Sequence, residues 1–379
     1  MSHFLTEEQE LMRGVAREFA QQEIAPIAKQ LDATHEFPWA WVKRCAELGF
    51  LGVSIPEEYG GVGADVLTEA IVIEEIARES GSLALIIDAH TSLGCMPLLH
   101  AGTEEQKQKY LIPAAKGEKL MSFGLTEPGA GSDAGGTKTT AVLDGDEWVI
   151  NGSKCWITNI GAAETYIITA STDPGKGNKG ITAFIVEKGT PGFEVGKPEV
   201  KMGLNNSLTG ELFFKNCRIP KKNMIGELNK GFPVFLQGLD EGRIAISAMA
   251  VGMAQGALDR AVAYSKERVQ FGKPISKFQA IAFYMADMAM KIELSRTLLY
   301  RVARMRDEGL PYTYEAAMLK LYSSEMCVEV CDKSLQIHGG IGYSNQIDIE
   351  RFYRDAKLLT IGEGTSEVQK IVISGRLLA

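Results

Sequence analysis

The sequence predicts three parts in series: an α-helical domain over residues 1–118, an all-β domain over 119–228 built as a small β-barrel or sandwich, and a helical bundle over 229–379. Two changes of pattern predict it. Apolar residues recur at helical spacing up to about residue 118, then give way to short β-branched or aromatic runs, and the helical period returns after Gly231. A chain of 379 residues, 45% hydrophobic and 23% charged, is long enough for two or three cores of ordinary globular composition.

In the first part, Thr6 with Gln9 and Thr103 with Gln106 read as capping boxes that open helices. Leu11, Val15 and Phe19 make one apolar stripe, and Pro26, Pro38, Pro56 and Pro113 punctuate the run. Residues 55–63, rich in glycine, are a turn between helices. In the second part the strand-like runs are 121–126, 139–143, 148–150, 166–170, 182–186 and 211–214, separated by Gly, Asp, Asn and Pro. In the third, helical spacing covers 244–258, 281–299 and 316–337, then two further helices on either side of Thr360-Ile361-Gly362-Glu363-Gly364-Thr365-Ser366-Glu367. Glycines flank Glu363 and allow backbone conformations closed to other residues, while Ser366 with Gln369 reads as a capping box for the last helix. A carboxylate is thus held at a bend.

Composition excludes several function classes. A net charge of -8 with a pI near 5.4 argues against a sequence-independent grip on nucleic acid, which needs a broad basic face. The first residues have no basic segment followed by an apolar core, so they do not read as a secretory signal, and no apolar run approaches the ~18 residues of a membrane span. Cys45, Cys95, Cys155, Cys217, Cys327 and Cys331 are scattered, form no metal-ligand pattern, and fit a reducing, cytoplasmic compartment.

Gly129-Ala130-Gly131-Ser132-Asp133-Ala134 matches the GxGxxG/A fingerprint formally, but such a fingerprint must open a helix whose N-terminus meets a pyrophosphate. Here Gly135, Gly136 and further strands follow, which leaves a Gly-rich loop with backbone N–H groups available to an anion or a polar ring edge. Residues 264–275 end one helix at a glycine and start another after a proline, and their basic side chains read equally as helix-end cations. His338 stands beside three glycines with no Ser or Cys nucleophile evidently paired to it.

Several of these stretches occur together and in order: Leu125-Thr126-Glu127-Pro128 running into Gly131-Ser132-Asp133-Ala134; Asn151-Gly152-Ser153-Lys154 with Trp156-Ile157-Thr158-Asn159; Arg268-Val269-Gln270-Phe271-Gly272; residues 336–343; Arg354-Asp355-Ala356-Lys357; and Glu363-Gly364-Thr365. Along nearly its whole length the chain resembles the acyl-CoA dehydrogenase family of flavoproteins. The resemblance implies an N-terminal helical domain, a middle β-barrel and a C-terminal four-helix bundle, with FAD between barrel and bundle in a homotetramer.

Residue by residue, the resemblance assigns the flavin to Phe123, Gly124, Leu125, Thr126, Glu127, Pro128, Gly129, Ala130, Gly131 and Ser132, and to Trp156, Ile157 and Thr158. Across a subunit boundary, Arg268, Gln279, Gln336, Ile337, His338, Gly339 and Gly340 are implied to hold the pyrophosphate and adenosine part, with Thr365, Ser366 and Glu367 completing the site. Ser132, Asp240, Glu241, Gly242, Arg243 and Gly364 match positions that contact acyl-CoA. The implied chemistry is removal of the α-proton by Glu363 and transfer of the β-hydrogen as hydride to flavin N5, giving a trans-2-enoyl-CoA, with electrons passed on to an electron-transferring flavoprotein. Burial raises the pKa of such a base and the following helix N-terminus lowers it, and the sequence does not decide between them.

The chain departs from the family pattern at Gly362, where a tyrosine is usual. Some members carry the base at the position of Gly242, and Glu241 lies about 100° from it around a helix, which reads as a substrate-side residue. The alternatives on the same fold are an acyl-CoA oxidase or an enoyl-CoA reductase; a flavin-free CoA-binding protein is the alternative of another class.

Overall fold

The computed structural model describes residues 5–378; residues 1–4, part of the stretch without a secretory pattern, and Ala379 lie outside the described residues. Helix α1 (Glu7–Phe19) opens on the expected capping box: Gln9 N donates to Thr6 Oγ1 at 3.2 Å, and Thr6 N donates to Gln9 Oε1 at 3.0 Å. Its inward face is Met12, Val15, Ala16 and Phe19, whereas Leu11 is 71% exposed. The stripe is thus rotated by about one position, since 100° per residue carries Leu11 past the edge of the buried arc. Then come α2 (Ala28–Thr34), α3 (Trp39–Glu47), α4 (Val66–Ala77), and a continuous helical run made of α5 (Gly81–Asp88), a π-helical segment (Ala89–Cys95) and α6 (Met96–Ala101). That run, Gly81–Ala101, is 21 residues and apolar enough to cross a membrane, contrary to the expectation above. In this fold it is a core helix, buried almost throughout. Short α7 (Glu104–Gln106), opened by the second expected capping box, and α8 (Ile112–Ala115) complete the part.

Eight strands follow: β1 (Met121–Gly124), β2 (Thr140–Asp144), β3 (Glu147–Thr158), β4 (Thr165–Ser171), β5 (Ile181–Glu187), β6 (Phe193–Pro198), β7 (Thr209–Pro220) and β8 (Met224–Ile225). They form one sheet in the order β6-β7-β3-β2-β4-β5-β8, with β1 added parallel to β4. The expected barrel is not formed. Closure requires each edge strand to find a partner, and the edges β6 and β8 do not pair with each other; β8 spans two residues and meets only Ala183 and Phe184. At the centre β2 touches β4 through a single pair, Thr140 with Ser171. The sheet bends there, and aromatic side chains fill the fold: Trp148 of β3 meets Phe184 of β5 at 5.2 Å, and Tyr166 of β4 meets Phe193 of β6 at 5.0 Å. Short β-branched and aromatic runs report strands, which an open bent sheet and a barrel share.

The last part holds α9 (Gly231–Glu267), a small hairpin of β9 (Val269–Gln270) and β10 (Lys273–Pro274), α10 (Gln279–Asp307), α11 (Thr313–His338), α12 (Ile349–Ala356) and α13 (Ser366–Leu377). The central helix α9 packs on α10, α11 and also α4 of the first part. Glycines permit that last contact, because a Cβ at Gly252 or Gly256 would lie 2.1 Å from Glu74 O or 2.2 Å from Arg78 O. Beside it, Arg296 Nε donates to Glu74 Oε1 at 2.8 Å and Tyr300 Oη donates to Glu74 Oε2 at 3.0 Å, a buried polar seam between the two helical parts. The Arg354-Asp355 pair joins parts as well: Leu204 N donates to Asp355 Oδ1 at 2.5 Å and Arg354 Nη2 donates to Asp32 Oδ2 at 2.7 Å.

Candidate active site

Glu363 stands in the break between α12 with its 3₁₀ extension (Lys357–Thr360) and α13. Its φ of 54° and the 91° of Gly364 put two successive residues in the left-handed region, which is costly for a glutamate and calls for outside support. Support comes from one side chain far along the chain and one in the helix that follows. Lys320 Nζ of α11 donates to Gly364 O at 2.7 Å, while Gln369 Nε2 of α13 donates to Glu363 O at 3.2 Å and to Gly364 O at 3.0 Å. The expected capping box at Ser366 is therefore not what forms. Thr365 is the cap, accepting from Val368 N at 3.3 Å, and Gln369 is drawn inward to clamp the turn.

The Glu363 carboxyl turns into the protein toward α9, where a Cβ on Gly242 would lie 2.5 Å from Glu363 Oε2 and 2.9 Å from Leu93 Cδ2. Only glycine at 242 leaves room for the acid. Both Glu363 oxygens are shielded from solvent and neither accepts a hydrogen bond from an N–H or hydroxyl among the described residues. Burial holds the acid above the usual carboxylate range, against the lowering influence of Asp88, Lys320 and Arg243. Burial of Lys320 in turn brings its ammonium down to about 8, with Glu363 opposing the shift. Burial is the largest of these influences on Glu363.

The loop after β1 approaches the same part of α9. Phe123 stacks on Phe235 of α9 with centroids 4.2 Å apart. Glu127 fastens the loop: its carboxylate accepts from Lys138 N at 2.7 Å, Thr139 N at 3.1 Å and Lys154 Nζ at 2.8 Å, and the same Nζ donates to Leu125 O at 3.1 Å and Thr169 Oγ1 at 3.1 Å. Burial brings Lys154 down to about 8, whereas for Glu127 burial, the largest single influence, is outweighed by the attraction of Lys154 and the hydrogen bonds from Lys154, Lys138 and Thr139 together, which lower its pKa. Both carry charge at neutral pH. Beyond this anchor, Pro128, Gly129, Gly131 and Ser132 are exposed, Thr126 is half-buried, and Ala130 is buried; a 3₁₀ turn (Ala134–Gly136) and β2 follow, so no helix starts at the GxGxxA stretch. On β3 a register shift between Lys154 and Ile157 and a φ of 60° turn Trp156 outward, 63% exposed, between buried Ile157 and Lys154. A large indole in strained, outward backbone points to a ligand.

The remaining assigned residues divide. Asp240 Oδ1 accepts from Arg243 Nη1 at 2.5 Å and its Oδ2 accepts from Thr313 Oγ1 at 2.7 Å. Buried Glu241 is taken up by His100 Nε2 at 2.8 Å and Arg306 Nη2 at 3.1 Å, which overcome burial and lower its pKa. At the far end of the bundle, Arg268 caps α9 and Gln279 opens α10, both exposed. Gln336, Gly339 and Gly340 are also exposed, Ile337 is buried, and His338 stacks on Tyr264 at 4.5 Å with its Nδ1 bonded to Ser334 O at 2.7 Å. That stack brings Arg268 and the 336–340 turn to one place. The Arg268 guanidinium has no ion pair or side-chain hydrogen bond among the described residues, and none joins this cluster to the loop at 123–132. Thr365, Ser366 and Glu367 line a groove of about 560 Å³ between α11 and the last two helices.

Profiles of three domains match the chain: "Acyl-CoA dehydrogenase, N-terminal domain" over residues 6–118, "middle domain" over 122–217 and "C-terminal domain" over 229–378. The chain belongs to the acyl-CoA dehydrogenase family. It is 51% identical over 377 residues to the "Acyl-CoA dehydrogenase, short-chain specific" of Clostridium acetobutylicum, covering 100% of both chains. Among solved structures it is similar to the butyryl-CoA dehydrogenase of Megasphaera elsdenii, with TM-score 0.97, 45% identity and 99% of each chain covered. It is likewise similar to a chain described under "Electron transferring flavoprotein of Acidaminococcus fermentans", with TM-score 0.98, 48% identity and coverage of 99% and 98%. As a member of this family the protein is an FAD-dependent enzyme that dehydrogenates acyl-CoA.

The residues present fit that cofactor: an exposed, strained indole and an open Gly-rich backbone suit a planar ring, and an unpaired guanidinium suits a phosphate. Sequence reasoning missed the supports of the site. Asp88 and Lys320 lie in helices whose local pattern marks them as ordinary, while Lys154 stands out only within its motif and Gln369 only as part of a capping box; a Lys amid buried apolar neighbours, as at Lys320, is the one further signal that was legible.

Proposed function

We propose that this enzyme oxidises a short or medium acyl-CoA between Cα and Cβ with Glu363 as the base, and that an electron-transferring flavoprotein takes the electrons. One observation carries the base assignment. Glu363 is an acid with two shielded oxygens lacking an N–H or hydroxyl donor, held in left-handed backbone by Lys320 and Gln369 and opposite a glycine that makes room for it. A buried carboxyl with a raised pKa is suited to accept a proton near neutrality. The Glu363 N–H is likewise unused by any hydrogen bond among the described residues, which leaves it free to polarise the thioester carbonyl and acidify the α-carbon. Gly242 keeps that space open; Arg243 and Lys320 favour the ionised base. When bound, FAD supplies the two-electron acceptor for the hydride that leaves Cβ. Residues 123–132 with Trp156, Ile157 and Thr158 would hold its ring, and Arg268, Gln279 and the 336–340 turn of another subunit its phosphates.

The separation of these two clusters within one chain supports a homo-oligomer, with a homotetramer as the family expectation. So do the exposed apolar side chains Phe271 (93% exposed), Phe283, Met290 and Leu294 around the start of α10. Six free, buried cysteines support a reducing, cytoplasmic compartment. The electron-transferring partner is supported by the likeness to the A. fermentans chain. The test is anaerobic reduction of the flavin by a series of acyl-CoAs, comparing wild type with Glu363→Gln. The variant should retain FAD and bind acyl-CoA yet lose at least a hundredfold in reduction rate; bleaching near the wild-type rate would move the base elsewhere. Admission of air to the reduced enzyme then separates a dehydrogenase, slow to reoxidise, from an oxidase.

A further inference from the structure

Asp88 ends α5, after the buried apolar residues Leu83, Ala84, Leu85, Ile86 and Ile87, and is itself wholly buried. Among the described residues neither of its oxygens receives a hydrogen bond from an N–H or hydroxyl, which is also the state of both Glu363 oxygens. Leu93, one turn beyond Asp88 in the π-helical segment, shares with Glu363 Oε2 the space beside Gly242, both within 3 Å of where a Cβ there would stand, and the two carboxyls act directly on each other. Two carboxylates acting directly on each other away from water cannot both be charged, and one proton between them gives each side a partner.

The surroundings decide which acid keeps that proton. Lys320 of α11 and Arg243 of α9 face Glu363. On the other side a further carboxyl, Glu69 of α4, is held just beyond Asp88 by the Thr91 and Ser92 hydroxyls, which donate to its Oε1 at 2.8 and 3.5 Å. Cations favour the charge on Glu363, and the neighbouring acid disfavours it on Asp88. We infer that Asp88 is a positioning residue for the base: it stays protonated and donates its hydroxyl hydrogen to the Glu363 carboxylate, keeping that carboxylate ionised in a site whose burial would neutralise it. This rests on Glu363 being the base. The raised pKa of Asp88, set by burial and then by Glu363, agrees with the assignment.

The test uses the FAD-loaded enzyme and two variants of nearly the same size as aspartate. Asp88→Asn keeps an N–H donor toward Glu363, and Asp88→Leu removes it. In the pH profile of kcat, whose acid limb reports the base in the enzyme–substrate complex, Asp88→Leu should move that limb up by about one pH unit, roughly a tenfold loss at a fixed pH below it. Asp88→Asn should leave the limb at its wild-type position. An infrared measurement needs no turnover: a protonated-carboxyl stretch sensitive to H₂O/D₂O exchange should vanish from the difference spectrum in Asp88→Asn and persist in Glu363→Gln. An unmoved acid limb in folded, flavin-loaded Asp88→Leu would overturn the inference. So would a band lost in Glu363→Gln and retained in Asp88→Asn, and this second readout decides the matter if Asp88→Leu fails to fold. Normal turnover by Glu363→Gln would instead overturn the base assignment.

Discussion

Lys154 is fully buried with its ammonium bonded to Glu127, Leu125 O and Thr169, so replacing it with methionine keeps the volume and removes the charge. Glu127 would keep only the backbone donors of residues 138 and 139, as a buried anion without its cation. Breaking such a pair from one side costs about 3–5 kcal/mol, a large share of the ~5–15 kcal/mol that holds a domain together. The burial of Lys154 works the other way. Its drop from 10.5 to about 8 corresponds to ~3 kcal/mol spent keeping it charged below pH 8. For this group alone the unfolded chain binds the extra proton between pH 8 and 10.5, so stability rises across that window and does not change below it. Lys154→Met alone should therefore lower the unfolding midpoint in urea and loosen FAD, because the 123–132 loop loses its anchor. Lys154→Met with Glu127→Gln should recover more than half of the stability, since no orphaned charge remains. Urea unfolding of the four proteins of that cycle, with flavin content by absorbance after gel filtration, is the assay. A single variant within 1 kcal/mol of wild type, or a double variant no better than the single, would refute the reasoning.

Three further outcomes are expected. Arg268→Ala should lose FAD on dialysis and, by linkage, lower the stability of the proposed oligomer; unchanged flavin content and melting would make Arg268 a simple helix-end cation. His90, wholly buried, accepts from Met121 N at its Nδ1 (3.0 Å), contacts Ala114 O through Nε2 (3.1 Å), and is pushed by burial down to about 4. Its folded pKa lies below the unfolded 6.5, so about 3 kcal/mol of stability disappears as the pH falls from 6.5 to 4; His90→Gln should be less stable at pH 7 and show a flatter slope over that window, and an equal slope would count against it. Gly362 has no positive φ, and a Cβ there would meet only Leu358, no closer than 3.6 Å, so Gly362→Tyr should fold, hold FAD, and lose α-branched or bulky acyl-CoAs selectively while keeping short straight ones; an acyl-CoA profile equal to wild type would exclude a pocket widened by this glycine.

How much was legible in the sequence follows from the range of the interactions involved. The capping boxes at Thr6 and Thr103 were legible because every atom involved lies within four residues. The box at Ser366 fails by the same measure: its local pattern is sound, but Gln369 finds the Glu363 and Gly364 carbonyls, which a strained turn leaves without backbone partners. Sheet closure is similarly non-local. The β-branched and aromatic runs of β3, β4 and β5 were visible, yet whether β6 meets β8 depends on a two-residue strand and on a single-pair contact between β2 and β4 that no periodicity records.

The site shows the same division between what reacts and what holds it. Glu363, the proposed base, was singled out through the glycines that a left-handed turn requires, although the positive φ falls on Glu363 and Gly364 and not on Gly362. Its supports come from residues 88, 242, 320 and 369, on four different helices. Each of them is the residue that the environment of Glu363 calls for: a neutral acid that can donate, a glycine for clearance, a buried cation, and an amide for two carbonyls. Burial makes all four necessary at once, because an acid raised in pKa by desolvation serves as a base only where neighbouring groups keep it from being neutralised. Lys320 does this with charge while its ammonium also fixes the backbone on the Gly364 side of the base, so Lys320→Met removes two supports together. It should therefore raise the acid limb of the pH profile and loosen the turn, whereas Gln369→Leu should loosen the turn alone.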